Sequence, residues 1–165
     1  MADPTVIAVL TFLHIVAAMA WLGGVVFFIS AVGPGVRSFT PPASLEFLTK
    51  VGPKQLRFFA GTSTATIVFG LALLFATFSA DFTAWPPYIE VGLTLGFIAY
   101  LDGILVTIPT IRKAVKMAHE MMGKPPGPPP PEFTGLLKKA NLATVAAAAI
   151  LLLALIFMVS SAVFT

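Results

Sequence analysis

Cysteine and charge are what this sequence most clearly lacks. The absence of cysteine excludes disulfides, thiolate zinc and iron–sulfur sites, and covalent haem attachment through a CxxCH motif. Only 10% of the 165 residues are charged, whereas 58% are hydrophobic and the mean hydropathy is +0.96. Soluble globular domains carry about a quarter charged residues, and a soluble fold of this size cannot bury so much apolar surface. The composition therefore predicts a polytopic membrane protein.

Four long apolar stretches account for most of the chain. Each reaches or exceeds the ~20 residues that cross the bilayer core as a helix. They are continuously apolar and rich in Ala and Leu, without the alternation that marks membrane strands, so a closed barrel is disfavoured. We predict an all-α, integral membrane four-helix bundle that forms a single domain over residues 1–165. The predicted spans are approximately 6–32, 58–80, 89–111 and 136–164.

The basic residues predict the orientation of these spans. All ten lie in the two segments that follow the first and the third span: Arg37, Lys50, Lys54, Arg57, Arg112, Lys113, Lys116, Lys124, Lys138 and Lys139. By the positive-inside rule, both termini should lie outside and loops 33–57 and 112–138 in the cytoplasm of a plasma or inner membrane. Anionic lipid then explains the net charge of +3 and the pI near 9.5, and no nucleic-acid partner is expected.

Proline and glycine mark the expected limits of structure within the two loops. In the first loop, Thr40 is a candidate N-cap for a short interfacial helix that Gly52-Pro53 should end. In the second loop, the third helix should continue through residues 112–122. The proline-rich linker at 123–132 follows, and its composition is typical of a stiff polyproline II spacer.

Two ionisable residues, His14 and Asp102, lie deep within the apolar spans, well away from the span ends. A charged group at such depth costs at least ~2.5 kcal/mol, so both are candidates for a functional role. At 1.5 Å per residue they lie about 12 Å and about 20 Å below the outer boundary, which permits a direct or water-bridged contact between them.

Three roles remain open for His14. It can be a neutral imidazole satisfied by Asp102, a threonine or a backbone carbonyl; a ligand for haem iron or copper; or a proton relay. As a ligand, it would have Asp102 as the polar partner that fixes its tautomer. Met158 lies near the same depth and is a candidate second ligand, although a single methionine on an apolar helix is usually core filler. His119 lies beyond the third span and is expected to be solvated.

The first span carries the pattern LHxxxxxxWxGGxxF between Leu13 and Phe27. This segment resembles the first helix of the copper resistance protein D (CopD) superfamily of small membrane proteins. That group includes, or is similar to, the HemJ-type protoporphyrinogen oxidases, in which a first-helix histidine is linked to haem b. The resemblance implies that His14 is the functional histidine and that Trp21, Gly23 and Gly24 shape its surroundings.

The resemblance has a limit in the third span. HemJ-type proteins carry a lysine there and a further membrane histidine, and this sequence has neither. Porphyrinogen oxidation is therefore not expected, and copper import would need Met and His clusters that are absent.

The leading hypothesis is a membrane protein that binds haem b, or alternatively copper, through His14 for electron transfer or redox sensing. Trp21, Gly24 and Met158 are the further candidate cofactor-binding residues. One strong intramembrane ligand per chain favours a homodimer with two His14 ligands, or else Met158 or an open position as the second ligand. Two alternatives are proton, ion or small-molecule transport through His14 and Asp102, and an accessory subunit of a larger membrane complex. Whether the protein is an enzyme stays open.

Overall fold

A computed structural model describes residues 2–79, 85–124 and 127–160. Within these ranges the chain forms four long helices and no strand, which confirms the predicted all-α four-helix fold. Each helix is long and apolar enough to cross a membrane, so the protein is a multi-pass membrane protein. The helices are α1 (Pro4–Arg37), α2 (Pro41–Phe78), α3 (Pro87–Met122) and α4 (Pro131–Ser160).

The helices pack mainly as two pairs, α1 with α2 and α3 with α4. One buried apolar cluster joins the pairs, with members on α1, α3 and α4: Trp21, Val25, Ala99, Ala148 and Leu151. Small residues bring the helices of this bundle close together, as membrane helix packing requires. Large apolar side chains such as Phe12 and Met19 are more than half exposed, as expected of surfaces that face lipid.

Asp3 caps the first turn of α1. Its carboxylate accepts a hydrogen bond from the backbone N–H of Thr5 at 2.7 Å, and Pro4 occupies the first helical position. Because hydrogen bonds from Thr5 favour the charged form, the pKa of the Asp3 carboxyl lies below its ordinary value.

The first and third helices each contain one π-helical segment, at Phe28–Val32 and Gly103–Thr107. In both, the residue after the segment donates its N–H to the carbonyl five residues back. Each segment ends two residues before a proline, Pro34 or Pro109. A proline removes an N–H and its ring clashes with a carbonyl in the preceding turn, so a widened turn lets the helix continue past it. This shared feature of α1 and α3 was not recognised in the sequence.

The predicted helix stop at Gly52-Pro53 is wrong, because α2 runs through it without a break. Thr40 does occupy the N-cap position, although its side chain makes no capping bond. A Cβ on Gly52 would lie 2.9 Å from Val115 Cγ2, so this glycine permits close contact between α2 and α3. An interior proline costs about 3 kcal/mol by local rules, and tertiary packing at this contact offsets it.

The basic end of the molecule is a folded helical layer rather than two loops. The first part of α2, the end of α3 and the start of α4 enclose a second apolar cluster around Ala114, Ala118 and Phe133. A salt bridge of 2.7 Å between Lys113 and Glu132 joins α3 to α4 beside this cluster. The predicted continuation of α3 to residue 122 is confirmed.

Candidate functional site

The imidazole of His14 lies against α2. Its Nδ1 is 2.9 Å from the backbone carbonyl oxygen of Thr66. Because a carbonyl oxygen only accepts, Nδ1 must carry the proton in this contact. The bond crosses from α1 to α2 and fixes both the orientation of the ring and its tautomer.

A glycine on α2, Gly70, makes room for this ring because it has no side chain. A Cβ on Gly70 would lie 2.8 Å from His14 Cε1, closer than real Cβ contacts come, and 3.0 Å from Nδ1. Gly70 therefore forms a notch into which one edge of the imidazole fits. In a regular α-helix the Thr66 carbonyl accepts from the N–H four residues on, so the glycine also exposes the carbonyl that His14 uses.

The state of the second ring nitrogen of His14, Nε2, follows from the proton on the first. In a neutral imidazole protonated at Nδ1, Nε2 carries a lone pair and is free to bind a metal or accept a proton. Of the partners left open for His14 in the sequence, a backbone carbonyl, that of Thr66, is the one found. Metal-binding histidines commonly make such a bond from the nitrogen that does not bind the metal.

Asp102 lies in a different part of the molecule, beside a small cavity of about 50 Å³. All four helices contribute to its lining, and a cavity of this size accommodates at least one water molecule. Its polar side chains converge from α2, α3 and α4 against the indole of α1: Trp21, Ser63, Asp102, Thr107 and Thr144 are among the lining residues.

The π-helical segment of α3 shapes this polar group. Thr107 Oγ1 donates to Asp102 Oδ2 at 3.2 Å, although the two residues are five apart in the sequence. In a regular α-helix, residues at this spacing point about 140° apart, at 3.6 residues per turn. The wider turn of Gly103–Thr107 brings them closer to the same face, and thereby gives the carboxylate a partner within its own helix.

His14 and Asp102 do not form a direct hydrogen bond in the part of the chain that the structure describes. Of the α1 residues that line the Asp102 cavity, Trp21 is the nearest to His14 in the sequence, seven positions away. At 1.5 Å per residue this is a separation of roughly 10 Å along the helix. Asp102 is therefore not the group that orients the histidine, and the two form separate sites.

Gly24 and Trp21 serve helix packing in this structure. A Cβ on Gly24 would lie 2.9 Å from Phe58 Cε1 and 3.0 Å from Phe59 Cε1, so phenyl rings of α2 cover it. Trp21 is 5% exposed and belongs to the central apolar cluster. Both candidate cofactor-binding residues therefore contact other side chains of the bundle here.

Met158 packs on the other helix pair. A Cβ on Gly92 of α3 would lie 2.8 Å from Met158 Cε and 3.1 Å from its Sδ, whereas His14 lies against α2. His119 is exposed near the end of α3. Among residues 2–79, 85–124 and 127–160, no group of three or more His, Asp or Glu side chains comes together that would hold a metal ion.

Comparison with known proteins adds no relative: no family model, curated protein or solved structure matches the chain.

The chemistry of the His14 imidazole suits a nitrogen ligand of haem iron. Its Nε2 is not used in the bond to Thr66, the ring is held by Thr66 and Gly70, and the half-buried side chain borders the surface of the bundle. The sequence contains only one other histidine, His119, outside the apolar spans. One chain therefore supplies one nitrogen ligand at this depth.

Proposed function

We propose that this protein binds haem b through Nε2 of His14 and serves one-electron transfer or redox sensing within the membrane. Copper is the alternative occupant of the same nitrogen. The observation that carries the proposal is the hydrogen bond from His14 Nδ1 to the Thr66 carbonyl. It leaves the lone pair of Nε2 available to bind a metal. The likeness of the first span to the CopD superfamily supports His14 as the ligand.

The chain's own residues would hold and orient the ligand. The Thr66 carbonyl keeps the proton on Nδ1 and raises the basicity of Nε2, and the Gly70 notch fixes the plane of the ring. Apolar side chains around this depth exclude water and keep the local dielectric low. The haem, when bound, supplies the one-electron chemistry. Since one chain offers one intramembrane histidine, we propose a homodimer in which each copy contributes its His14.

The test is an absorption spectrum of protein expressed with ample haem and purified in mild detergent. We expect a Soret band in the wild type and in His119→Ala, and its loss in His14→Ala with unchanged far-UV helicity. Added imidazole should restore part of the band to His14→Ala, since it replaces the missing nitrogen. A wild type that binds neither haem nor copper, or a His14→Ala form that binds as well as wild type, would overturn the proposal.

The Asp102 cavity supports a second candidate function, passage of a proton or a monovalent cation. The hydroxyls of Ser63 and Thr144 donate to carbonyls of their own helices, at 3.2 and 2.7 Å, and Thr107 donates to Asp102. Their protons are thus used elsewhere, so oxygen lone pairs are what these groups offer to an occupant. One carboxylate with several such oxygens suits a hydronium or an alkali cation, not an anion.

A hydrophobic carbodiimide tests this second function, because it reacts with protonated carboxyls inside membranes. We expect labelling of Asp102 that falls as Na⁺ or pH is raised and disappears in Asp102→Asn. Labelling that neither Na⁺ nor pH changes would contradict a cation or proton site.

The orientation in the plasma or inner membrane is part of the proposal, with both termini outside. Because the chain has no cysteine, single cysteines report it directly. An impermeant thiol reagent applied to intact cells should label a cysteine placed at Glu90 and spare one at Ser38. The reverse pattern would invert the topology.

A further inference from the structure

A second cavity, of about 300 Å³, opens between α2 and α3 at the basic end of the molecule. Each helix contributes one guanidinium to its lining, Arg57 from α2 and Arg112 from α3. In the sequence, Arg57 directly precedes the apolar stretch of α2 and Arg112 directly follows that of α3. The cleft therefore lies at the level where the hydrocarbon core meets the headgroups.

The contact between Gly52 and Val115 explains where the cleft forms. Because Gly52 has no side chain, α2 and α3 come into contact here; a Cβ added to Gly52 would lie only 2.9 Å from Val115 Cγ2. Leu56, Arg57 and Ala60 follow on α2 within about two helical turns and line the cleft. Its remaining walls are apolar: Pro53, Leu56, Ala60 and Val115.

The two arginines are unpaired within the described part of the chain, whereas two nearby lysines, Lys50 and Lys113, each have a carboxylate partner. Lys50 pairs with Glu46 at 2.5 Å and Lys113 with Glu132 at 2.7 Å. Among the residues that the structure describes, Arg57 and Arg112 have neither an ion-pair nor a hydrogen-bond partner, and no carboxylate lines the cleft. Two like charges facing one cavity repel each other unless an anion lies between them.

We propose that this cleft binds the phosphate of an anionic phospholipid. Guanidinium groups present planar forks of N–H donors that match phosphate oxygens, and two of them converge here from different helices. The apolar walls formed by Leu56, Ala60 and Val115 provide a surface for the first part of an acyl chain. A free phosphate would gain nothing from these walls, which is why we assign a lipid. Basic pockets between membrane helices are known sites for lipid headgroups.

Native mass spectrometry of the full chain, with phosphatidylglycerol or phosphatidylcholine added, tests the proposal. We expect the wild type to retain phosphatidylglycerol in preference to phosphatidylcholine. The double variant Arg57→Gln/Arg112→Gln should bind phosphatidylglycerol roughly 30-fold more weakly, as removal of two interfacial cations implies. The matched control Arg37→Gln/Lys138→Gln removes the same charge at exposed positions away from the cleft, and should bind like wild type.

Three outcomes would overturn the proposal. The first is equal loss in the control, which would reduce the effect to overall charge. The second is displacement of the lipid by inorganic phosphate at comparable concentration, which would mean that the apolar walls contribute nothing. The third is no preference for phosphatidylglycerol in the wild type.

If the double glutamine variant fails to fold, Arg57→Lys/Arg112→Lys keeps the charge and loses the planar forks, and it should bind phosphatidylglycerol more weakly than wild type. Binding as tight as wild type would count against the arginine pair.

Discussion

The two ionisable groups inside the membrane satisfy their hydrogen bonds in opposite ways. His14 uses a carbonyl of the neighbouring helix, Thr66 of α2, and depends on the absence of a side chain at Gly70. Asp102 uses a hydroxyl of its own helix, Thr107, which a π-helical segment brings within 3.2 Å. The histidine therefore depends on how two helices are placed, whereas the carboxylate depends on the local winding of one.

This difference separates the chemistry available at the two sites. The bond to Thr66 occupies one nitrogen of His14 and leaves the other as a directed donor with a fixed ring plane, as a metal ligand requires. Asp102 borders a cavity with room for water and several hydroxyl oxygens, a setting suited to a mobile cation. The following substitutions act on one site and should spare the other.

The largest effect should come from closing the notch. In Gly70→Ala the new Cβ would lie 2.8 Å from His14 Cε1, so the ring must shift and its bond to Thr66 is lost. We expect haem affinity to fall about 10- to 100-fold, as for the loss of other groups that orient a metal-binding histidine. Gly61→Ala is the control on the same helix, because its Cβ meets nothing within 4 Å. Haem titration followed by absorbance measures both, and equal affinities in the two variants would contradict the notch.

A smaller effect, on stability, should come from substituting two adjacent glycines of α1. Gly24→Ala places a Cβ within 3.0 Å of both phenyl rings of Phe58 and Phe59, and overpacking of this kind costs about 1–3 kcal/mol. Gly23→Ala meets nothing within 4 Å and should be neutral or stabilising by up to about 1 kcal/mol through helix propensity. Unfolding in mixed micelles measures the difference. Since Phe59 also lines the Asp102 cavity, Gly24→Ala should alter carbodiimide labelling without changing haem affinity. Matching stabilities in the two variants would show that the phenyl rings do not pack on Gly24.

The smallest effect is expected from the bond within α3. Thr107→Val keeps the shape of the side chain and removes its hydrogen bond to Asp102, a loss of about 0.5–1.5 kcal/mol. The stability should fall by that amount, and the carbodiimide reactivity of Asp102 should change because its partner is gone. A drop in haem affinity as large as that of Gly70→Ala would mean that the two sites are coupled, contrary to the separation described above.

The sequence was sufficient for the helical membrane fold and for the two ionisable residues, because composition and run length decide both. It was insufficient for their partners. Gly70 is one of three glycines on α2, and the one that faces His14 depends on the rotation of α2 against α1, which no local pattern specifies. Thr107 was hidden for a different reason: a spacing of five residues pairs side chains only in a π-helical turn. The proline two residues after that turn is the one local signal that could have revealed it.

Gly52-Pro53 shows the limit of local rules at the basic end. Glycine followed by proline predicts a helix stop, yet the helix continues through both residues, where Gly52 is buried against Val115 of α3. The segment predicted as a loop with a short interfacial helix is instead part of a helical layer with its own apolar cluster. Tertiary contacts of this kind outweigh propensity wherever a helix face is buried.

The most direct test of the central claim is the position of the proton on His14. In protein labelled with ¹⁵N-histidine, His119→Ala leaves a single imidazole, so both nitrogen signals belong to His14, and their couplings to the ring protons Hδ2 and Hε1 distinguish Nε2 from Nδ1. We expect the proton on Nδ1 and an unprotonated Nε2 whose signal shifts or vanishes when haem is added. A proton on Nε2, or an Nε2 signal that does not respond while the Soret band forms, would contradict the assignment of this nitrogen as the ligand.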